Sequence, residues 1–216
     1  MKKFLGVILA VVMALFGLTA CGTNNRDNNA NKAPDAGNVL IAYFSCTNTT
    51  ETIAKHIETA TKGTVYEIIP EAPYPAEDLQ YYTGGRADRE QADATARPAI
   101  SGNVENIDKY SVIFLGYPIW HGQAPKIIYT FLESYDFSGK KIIPFCTSHS
   151  SGIGSSDINL HALAPSAAWV AGRRFAAGTP QSTVAEWIKG LGIMPAPDVA
   201  DFDLKSGETV TRPKLR

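Results

Sequence analysis

The sequence VLIAYFSCTNTT, which spans Val39–Thr50, decides the fold. Its first six residues are all apolar, which is typical of a strand that is buried on both faces of a parallel sheet. Small polar residues follow, and Thr49–Thr61 then repeats apolar residues at a helical spacing, with Gly63 as a stop signal. A buried strand, a polar loop and a helix in this order predict the first unit of an α/β fold.

Strands and helices alternate through the rest of the chain. Further strands are predicted at 64–69, 112–116, 141–146 and within 167–175, and further helices at 125–132, 157–163 and 179–191. Five strands alternating with helices predict a three-layer, doubly wound, five-stranded parallel sheet. Ligands of such sheets bind at the carboxyl ends of the strands, so the loops after Phe44, Gly116 and Cys146 form the candidate site.

One segment breaks this alternation, because Pro70–Asp108 is too long for a simple connection between a helix and a strand. A helix is predicted within 76–94. Long loops in compact domains are often functional, so Tyr74, Tyr81 and Tyr82 of this segment either cover a ligand or pack onto the domain.

The composition is that of an ordinary globular domain. The chain has 216 residues, of which 44% are hydrophobic and 19% charged, with a formal net charge of -1. These values argue against a largely disordered chain and give no reason to expect nucleic-acid binding. Three cysteines are too few and too scattered for a disulfide framework or a zinc cluster, and the four histidines show no metal-ligand spacing.

The N-terminus has the features of an export signal. Lys2 and Lys3 precede an almost wholly apolar stretch, Phe4–Leu18, and Leu18-Thr19-Ala20-Cys21 resembles a bacterial lipobox. We therefore expect a lipoprotein signal peptide over 1–20, lipidation at Cys21, and attachment to the extracytoplasmic face of the bacterial cell membrane. An uncleaved anchor or an ordinary signal peptide is the alternative.

The lipobox sets the first domain boundary, and changes in composition set the others. Residues 21–38 are Asn-rich and read as a flexible tether, residues 39–192 as the folded domain, and residues 193–216 as a C-terminal extension.

The first candidate loop, Ser45–Thr50, is suited to a phosphate. Its hydroxyls, one amide side chain and the N–H groups of a helix N-terminus converge, and the helix dipole favours an anion. Helix capping by Thr47 or Thr49 would use the same residues, so the loop alone leaves both interpretations open.

The second and third loops, Tyr117–Pro125 and Thr147–Gly154, differ in character. Tyr117 and Trp120 suit the face of a planar aromatic ligand, whereas the third loop is small and polar and lets its backbone approach a ring edge. Three unusual loops at one edge of the sheet favour a ligand site over three plain turns.

These segments resemble the flavodoxin family. Ile41–Thr50 is similar to the family's phosphate loop, written Ser/Thr-x-Thr-Gly-Asn-Thr after a strand, and 114–120 and 145–148 are similar to its two other flavin-contacting segments. The resemblance implies an FMN cofactor and the strand order 2-1-3-4-5. The implied cofactor-binding residues are Ser45, Thr47, Asn48, Thr49 and Thr50 at the phosphate, and Pro118, Ile119, Trp120, His121, Gly122, Thr147, Ser148 and His149 around the isoalloxazine ring. No catalytic or metal-ligating residue is assigned.

The chain departs from the family pattern at two positions of the phosphate loop. Asn48 stands where the family has glycine, and because asparagine tolerates a positive φ, the loop is expected to keep its shape. Thr49 stands where the family has asparagine, and the loss of the amide is expected to weaken or re-aim phosphate binding.

Three functions remain open on this resemblance. The first is an electron carrier whose partner is a redox protein or a small electron acceptor, the second an NAD(P)H-dependent quinone or flavin reductase, and the third a binding module with a decayed flavin site. A phosphatase with Cys46 as nucleophile is disfavoured, because Thr52 occupies the position of the arginine that clamps the phosphoryl group.

Two free thiols are expected in the domain. In the implied strand order one strand separates Cys46 from Cys146, which places the two strand axes roughly 9–10 Å apart, whereas a disulfide needs Cα atoms about 4.4–6.8 Å apart. We expect Cys146 to be buried and Cys46, beside a helix N-terminus, to be the more reactive thiol.

Lipidation of Cys21 is directly testable. Mature protein from an exporting bacterium should fractionate with membranes and carry an acylated N-terminal cysteine, whereas Cys21→Ala should lose both properties. Intact-mass analysis of the two proteins decides between the interpretations, and a mature wild-type mass without an acyl group would exclude the lipid anchor.

Overall fold

The computed structural model describes residues 38–193. The strands are β1 (Val39–Tyr43), β2 (Thr64–Glu67), β3 (Ile69–Pro70), β4 (Ile100–Ser101), β5 (Val112–Pro118), β6 (Lys141–Thr147), β7 (Ala168–Trp169) and β8 (Arg173–Phe175). The α-helices are α1 (Thr49–Thr61), α2 (Arg86–Ala92), α3 (Lys126–Glu133) and α4 (Gln181–Gly190), and 3-10 helices span Ala76–Leu79, Ile107–Lys109 and Ile158–Leu163. The predicted signal peptide, Cys21, nearly all of the tether and nearly all of the C-terminal extension lie outside the described residues. Within residues 38–193 no helix has the length and apolarity to cross a membrane.

The central sheet has the strand order that the resemblance implied. Its strands run β2-β1-β5-β6-β7, all parallel, and β8 also pairs with β6. The short strands β7 and β8 thus share the fifth position, and the predicted order 2-1-3-4-5 is confirmed. The pairs Tyr43↔Gly116 and Gly116↔Phe145 bring the carboxyl ends of β1, β5 and β6 to one edge, called here the carboxyl edge.

Burial on both faces explains the apolar run of β1. Alternate side chains point to opposite faces of a strand, so Leu40 and Ala42 belong to one hydrophobic core while Ile41 and Tyr43 belong to the other. The first core includes residues of α3, α2 and the long segment Pro70–Asp108, and the second core includes residues of α1 and α4. The result is the predicted three-layer arrangement.

The second predicted strand is shorter than expected. It ends at Glu67, and Ile69–Pro70 instead pairs antiparallel with Ile100–Ser101, which closes the long segment at its base. Pro70 has no N–H to donate to a continued ladder, which is consistent with this early end.

The helix predicted within 76–94 is confirmed as α2, which is shorter than the segment. The segment forms a 3-10 helix and the separate helix α2, because Tyr82 and Gly84 between them have φ values of 62° and 74°. Left-handed residues interrupt a right-handed helix. The helix predicted at 157–163 is a 3-10 helix as well.

Gly116 marks a close approach between β5 and β6. A Cβ atom at this position would lie 2.2 Å from Cζ of Phe145, its neighbour across the two strands. The aromatic ring therefore fills the space that any side chain at position 116 would need.

We expect Gly116→Ala to destabilise the fold by roughly 1–3 kcal/mol, because the core is close-packed and overpacking forces side chains out of their preferred rotamers. Urea unfolding of the purified domain measures the loss. Gly152→Ala is the matched control, since a Cβ there would meet its nearest atom at 3.9 Å. Equal stability of the two variants would show that Phe145 adjusts without cost.

Candidate functional site

A cavity of about 680 Å³ opens at the carboxyl edge. All of the predicted site residues line it except Asn48, namely Ser45, Thr47, Thr49, Thr50, Pro118, Ile119, Trp120, His121, Gly122, Thr147, Ser148 and His149. The same wall also contains Cys46, Leu79, Tyr81, Tyr82, Ser150, Ser151 and Ala177. The three loops that the sequence singled out therefore share one cavity.

Asn48 shapes the first loop through its backbone. Its φ of 60° and ψ of 0° are left-handed, which confirms that the loop keeps a positive φ where the resembled family has glycine. The Asn48 carbonyl accepts hydrogen bonds from the Thr52 N–H at 3.0 Å and the Thr52 hydroxyl at 2.9 Å. Asn48 thus occupies the N-cap position of α1 and does not line the cavity.

The N-terminus of α1 faces this loop without a side-chain cap. The Asn48 side chain makes no capping hydrogen bond, and the Thr47 hydroxyl lies 3.4 Å from the Thr49 hydroxyl rather than on a backbone N–H of the helix. The helix-capping alternative is therefore not what the loop adopts. The first-turn N–H groups, which have no partner within a helix, remain for an anion.

The Ser45 hydroxyl supports the same interpretation. Its Oγ is buried and has no hydrogen-bond partner, a state that costs free energy unless a ligand or water supplies one. Thr50 differs, because its Oγ1 lies 2.8 Å from Oγ1 of Thr147 in a buried hydrogen bond. Thr50 thus joins the first loop to the third, while Ser45 is free to bind a ligand oxygen.

The second loop contains a two-residue reverse turn. Trp120 and Gln123 exchange two backbone hydrogen bonds, both of 2.9 Å, and the residues between them, His121 and Gly122, have φ values of 49° and 75°. Two positive φ values identify a type I′ turn, which favours Asn-Gly over a sequence such as His-Gly.

Of the two aromatic residues expected to offer a ring face, neither stands free in the cavity. Tyr117 is completely buried, with its hydroxyl 3.2 Å from that of Ser156, so its predicted role as a ligand face is wrong. Trp120 lines the cavity but is only 8% exposed, and it packs edge-on against Phe44 and Tyr74 with ring centroids 5.4 and 5.2 Å away. Trp120 therefore belongs to the floor of the cavity and to the core at once.

The long segment supplies the exposed aromatic wall. Tyr82 is 87% exposed with a left-handed φ of 62°, and Tyr81 donates its hydroxyl hydrogen to the Ile119 carbonyl at 3.0 Å. Both line the cavity, whereas Tyr74 packs on the core and donates to Glu90. Of the two alternatives that the sequence left open, Tyr81 and Tyr82 border the cavity, whereas Tyr74 packs onto the domain.

Helix α2 anchors the second loop. Gln91 donates through Nε2 to the carbonyls of Trp120 at 3.1 Å and Ala124 at 3.2 Å, and its Oε1 accepts from the Lys126 N–H at 3.1 Å. Asp88 lies 2.7 Å from Nε2 of His121. The sequence analysis missed Gln91 and Asp88. The unusual length of the segment Pro70–Asp108 indicated a functional role for the segment, but length alone does not identify individual residues.

The Asp88 carboxylate is stabilised in its ionised form. Partial desolvation acts to raise its pKa, but hydrogen bonds from the Gly84 N–H and the His121 ring outweigh that effect, and the pKa lies below its usual value. Asp88 is therefore an anion opposite His121 at neutral pH.

Arg174 of β8 holds the third loop. Its guanidinium donates to the carbonyls of Ser148 at 2.8 Å and His149 at 2.5 Å, and Nε donates to the Ser148 hydroxyl at 3.2 Å. The sequence offered no signal for this role, since Arg174 follows the end of the loop by twenty residues and reaches it through strand pairing.

Both domain cysteines are free, as expected, and β5 separates their strands. Burial raises the pKa of Cys46 to about 11, with the nearby Glu67 adding to the effect, and burial raises the pKa of Cys146 to about 12. The expectation that Cys46 is the more reactive of the two thiols agrees with its lower pKa and its partial exposure, while burial holds the pKa of both thiols above the ordinary value.

Comparison with protein-family models shows that the chain belongs to the flavodoxin family, whose model matches residues 38–191. The chain is 38% identical to a protein from Bacteroides eggerthii provisionally assigned as a flavoprotein, with a TM-score of 0.67 over 72% of this chain and 98% of that one. A similarly assigned protein from Bacteroides uniformis is 42% identical, with a TM-score of 0.68 over 71% of this chain and 98% of that one.

A more distant relative shares the fold. A flavoprotein from Lactobacillus acidophilus, solved in complex with FMN, is 21% identical, with a TM-score of 0.54 over 70% of this chain and 98% of that one. The comparison with curated proteins gave no match. Membership of the flavodoxin family supports FMN as the cofactor.

We expect Cys46 to react slowly with a thiolate-directed alkylating agent. A pKa of about 11, against an ordinary 9.0, lowers the thiolate fraction near neutral pH about 100-fold, and the rate should keep rising as the pH approaches 11. Time-resolved mass spectrometry of iodoacetamide labelling measures this, with Cys46→Ser as the control that identifies the site. Labelling at the rate of a free thiol would show that Cys46 is more exposed to solvent than its burial indicates.

Proposed function

We propose that this protein binds FMN in the cavity at the carboxyl edge and transfers electrons at the extracytoplasmic surface of the membrane. The observation that carries the proposal is the joining of the three loops around one cavity. One end of this cavity offers an uncapped helix N-terminus and the other an aromatic wall.

Uncharged hydrogen-bond donors lie at the end of the cavity where the phosphate would bind. The Ser45 hydroxyl lacks a partner, the Thr47 and Thr49 hydroxyls line the cavity, and the N–H groups of the first turn of α1 add the partial positive charge of a helix N-terminus. Glu51 in that turn is paired with Lys55, which reduces its repulsion of an anion. These residues fit a phosphate monoester.

The ring end is formed by Pro118–Gly122, Thr147–His149 and Tyr82. Tyr82 joins the residues that the sequence assigned in this proposal, because its exposed ring borders the same cavity. When bound, FMN supplies one- and two-electron redox chemistry. The chain would bind and orient the cofactor, with Trp120 and Ile119 as an apolar floor of the cavity.

The cellular location rests on the sequence Leu18-Thr19-Ala20-Cys21 and the apolar stretch before it. A lipid anchor and a tether would hold the domain at the membrane surface, within reach of a membrane-bound or diffusible electron acceptor.

A small-molecule reductase is the second candidate, and the aromatic rim favours it. Tyr81 and Tyr82 are 52% and 87% exposed beside the cavity mouth, a surface that suits contact with a planar acceptor such as a quinone. Steady oxidation of NAD(P)H by the FMN-loaded protein with a quinone present would favour the reductase over the carrier.

Titration of apo-protein with FMN and with riboflavin separates the two ends of the cavity. We expect Ser45→Ala to weaken FMN binding roughly tenfold to 100-fold, because a hydrogen bond to a charged group is worth about 1.5–3 kcal/mol, and to leave riboflavin binding unchanged. Tyr82→Ala should weaken both flavins roughly threefold to tenfold through lost ring contact. Flavin fluorescence quenching gives the dissociation constants.

Tyr129→Ala is the control for Tyr82→Ala, since Tyr129 is a partly buried tyrosine outside the cavity lining. The absence of any quenching by wild-type protein would exclude FMN binding and favour the binding-module alternative. Equal loss of FMN and riboflavin affinity in Ser45→Ala would remove Ser45 from the phosphate end.

A further inference from the structure

His121 occupies a backbone conformation that its residue type disfavours. It is the first central residue of the type I′ turn, with a φ of 49°, and it lines the cavity at its aromatic end. Left-handed residues other than Gly, Asn and Asp cost free energy and persist where other contacts hold them, and such strain concentrates at functional sites. The contacts of the His121 side chain therefore indicate what the position is for.

Those contacts come from the long segment. Nε2 of His121 lies 2.7 Å from Oδ1 of Asp88 on α2, and the imidazole ring meets Tyr81 and Tyr82 edge-on at centroid distances of 5.1 and 5.3 Å. The side chains of His121 and Asp88 are 25% and 13% exposed, so the pair is only partly screened by water.

The ionised state of Asp88 determines the hydrogen-bond pattern. A carboxylate only accepts hydrogen bonds, so Nε2 of His121 carries the proton in the neutral ring, and Nδ1 is the nitrogen that takes up a second proton. When the His121 ring is neutral, the His121–Asp88 pair has a net charge of one negative unit. When the ring is protonated to the imidazolium, the pair is neutral.

The titratable and charged groups around the cavity determine which side chain can balance a bound anion. Asp88, Tyr81 and Tyr82 are the titratable groups that face it from the long segment, while His149 and Cys46 line the cavity elsewhere. The cavity wall, within residues 38–193, contains no lysine or arginine. Arg174 lies behind the third loop, with its donors directed at loop carbonyl and hydroxyl oxygens.

We propose that binding of an anionic flavin is linked to proton uptake at Nδ1 of His121, with Asp88 holding the resulting imidazolium against the cavity. This inference rests on the proposed function and extends it, because it names the group through which pH controls cofactor binding. No covalent bond changes: one proton from solvent adds to the imidazole at the aromatic end of the cavity, while the phosphate monoester binds at the opposite end, and the net charge of the occupied cavity becomes less negative.

The sign of the linkage follows from the charges. An anion in the cavity favours the imidazolium, so the complex binds the proton more tightly than the apo-protein does. The linked proton therefore makes FMN affinity fall as the pH rises.

His121→Asn is the decisive variant, because asparagine before Gly122 is the residue that a type I′ turn prefers. It keeps the turn and removes the titrating ring. A role limited to the shape of the turn therefore predicts unchanged proton uptake in this variant, whereas the proposed linkage predicts its loss.

The experiment is calorimetric titration of apo-protein with FMN in two phosphate-free buffers of different ionisation enthalpy, at about pH 6 and about pH 8. For wild type we expect net proton uptake and an affinity roughly threefold to tenfold lower at the higher pH. His121→Asn should lose most of both effects, and Asp88→Asn should reduce them. FMN's own phosphate titrates in every variant, so the difference between variants isolates His121.

His161→Asn is the matched control, since His161 lies outside the cavity lining and stacks on Trp169. Its proton uptake should equal that of wild type. FMN binding with the same uptake in wild type and His121→Asn would overturn the linkage and leave the proposed function standing, whereas absence of FMN binding to wild type would overturn both. If His121→Asn does not fold, Asp88→Asn decides in its place: undiminished uptake there would likewise overturn the linkage.

Discussion

The burial of β1 on both faces is the constraint on which the rest of the structure depends. All five of its residues are buried, and both of its edges are paired, with β2 on one side and β5 on the other. A strand with no free edge and no free face leaves the chain one exit, over the carboxyl edge and into α1. The polar residues Ser45–Thr50 lie at that exit, where their hydroxyl and N–H groups can find hydrogen-bond partners.

The same constraint brings the other two loops to the first. Parallel pairing of β5 with β1 and of β6 with β5 aligns three carboxyl ends, so the loops that follow them meet over the same edge. The buried bond between Thr50 and Thr147 then spans from the first loop to the third, across the intervening strand. This bond ties the two ends of the site together by a direct contact rather than through the backbone.

The long segment holds the second loop from outside the sheet. The turn at His121 and Gly122 needs two left-handed residues, and a histidine in the first of them is unfavourable by itself. Gln91, Asp88 and Tyr81 bind the loop around this turn through three side chains from one side. An insertion that looks like an irregular connection thus serves as the second wall of the cavity, and the strain of the turn is offset by these contacts.

Local pattern predicted the secondary elements where burial was strong and predicted them only in part where it was not. The apolar runs at β1, β5 and β6 and the helical spacing of α1 are properties of consecutive residues, so they could be recognised directly. The division of 76–94 into two helices depends on left-handed residues at Tyr82 and Gly84, and nothing in the sequence forces a tyrosine into that conformation. In the folded domain the Tyr82 ring packs edge-on against His121 of the second loop.

The sequence by itself determined the α/β alternation, the three loops of the site and, through the resemblance of Ile41–Thr50, the family and its cofactor. These features depend on residue type and on spacing along the chain. Only the tertiary structure decided that Tyr117 is buried, that the Cys46 thiol is desolvated, and that Gln91, Asp88 and Arg174 hold the loops. Each of these depends on which residues distant in the chain become neighbours, and burial, hydrogen bonding and pKa are properties of those neighbours rather than of the residue alone.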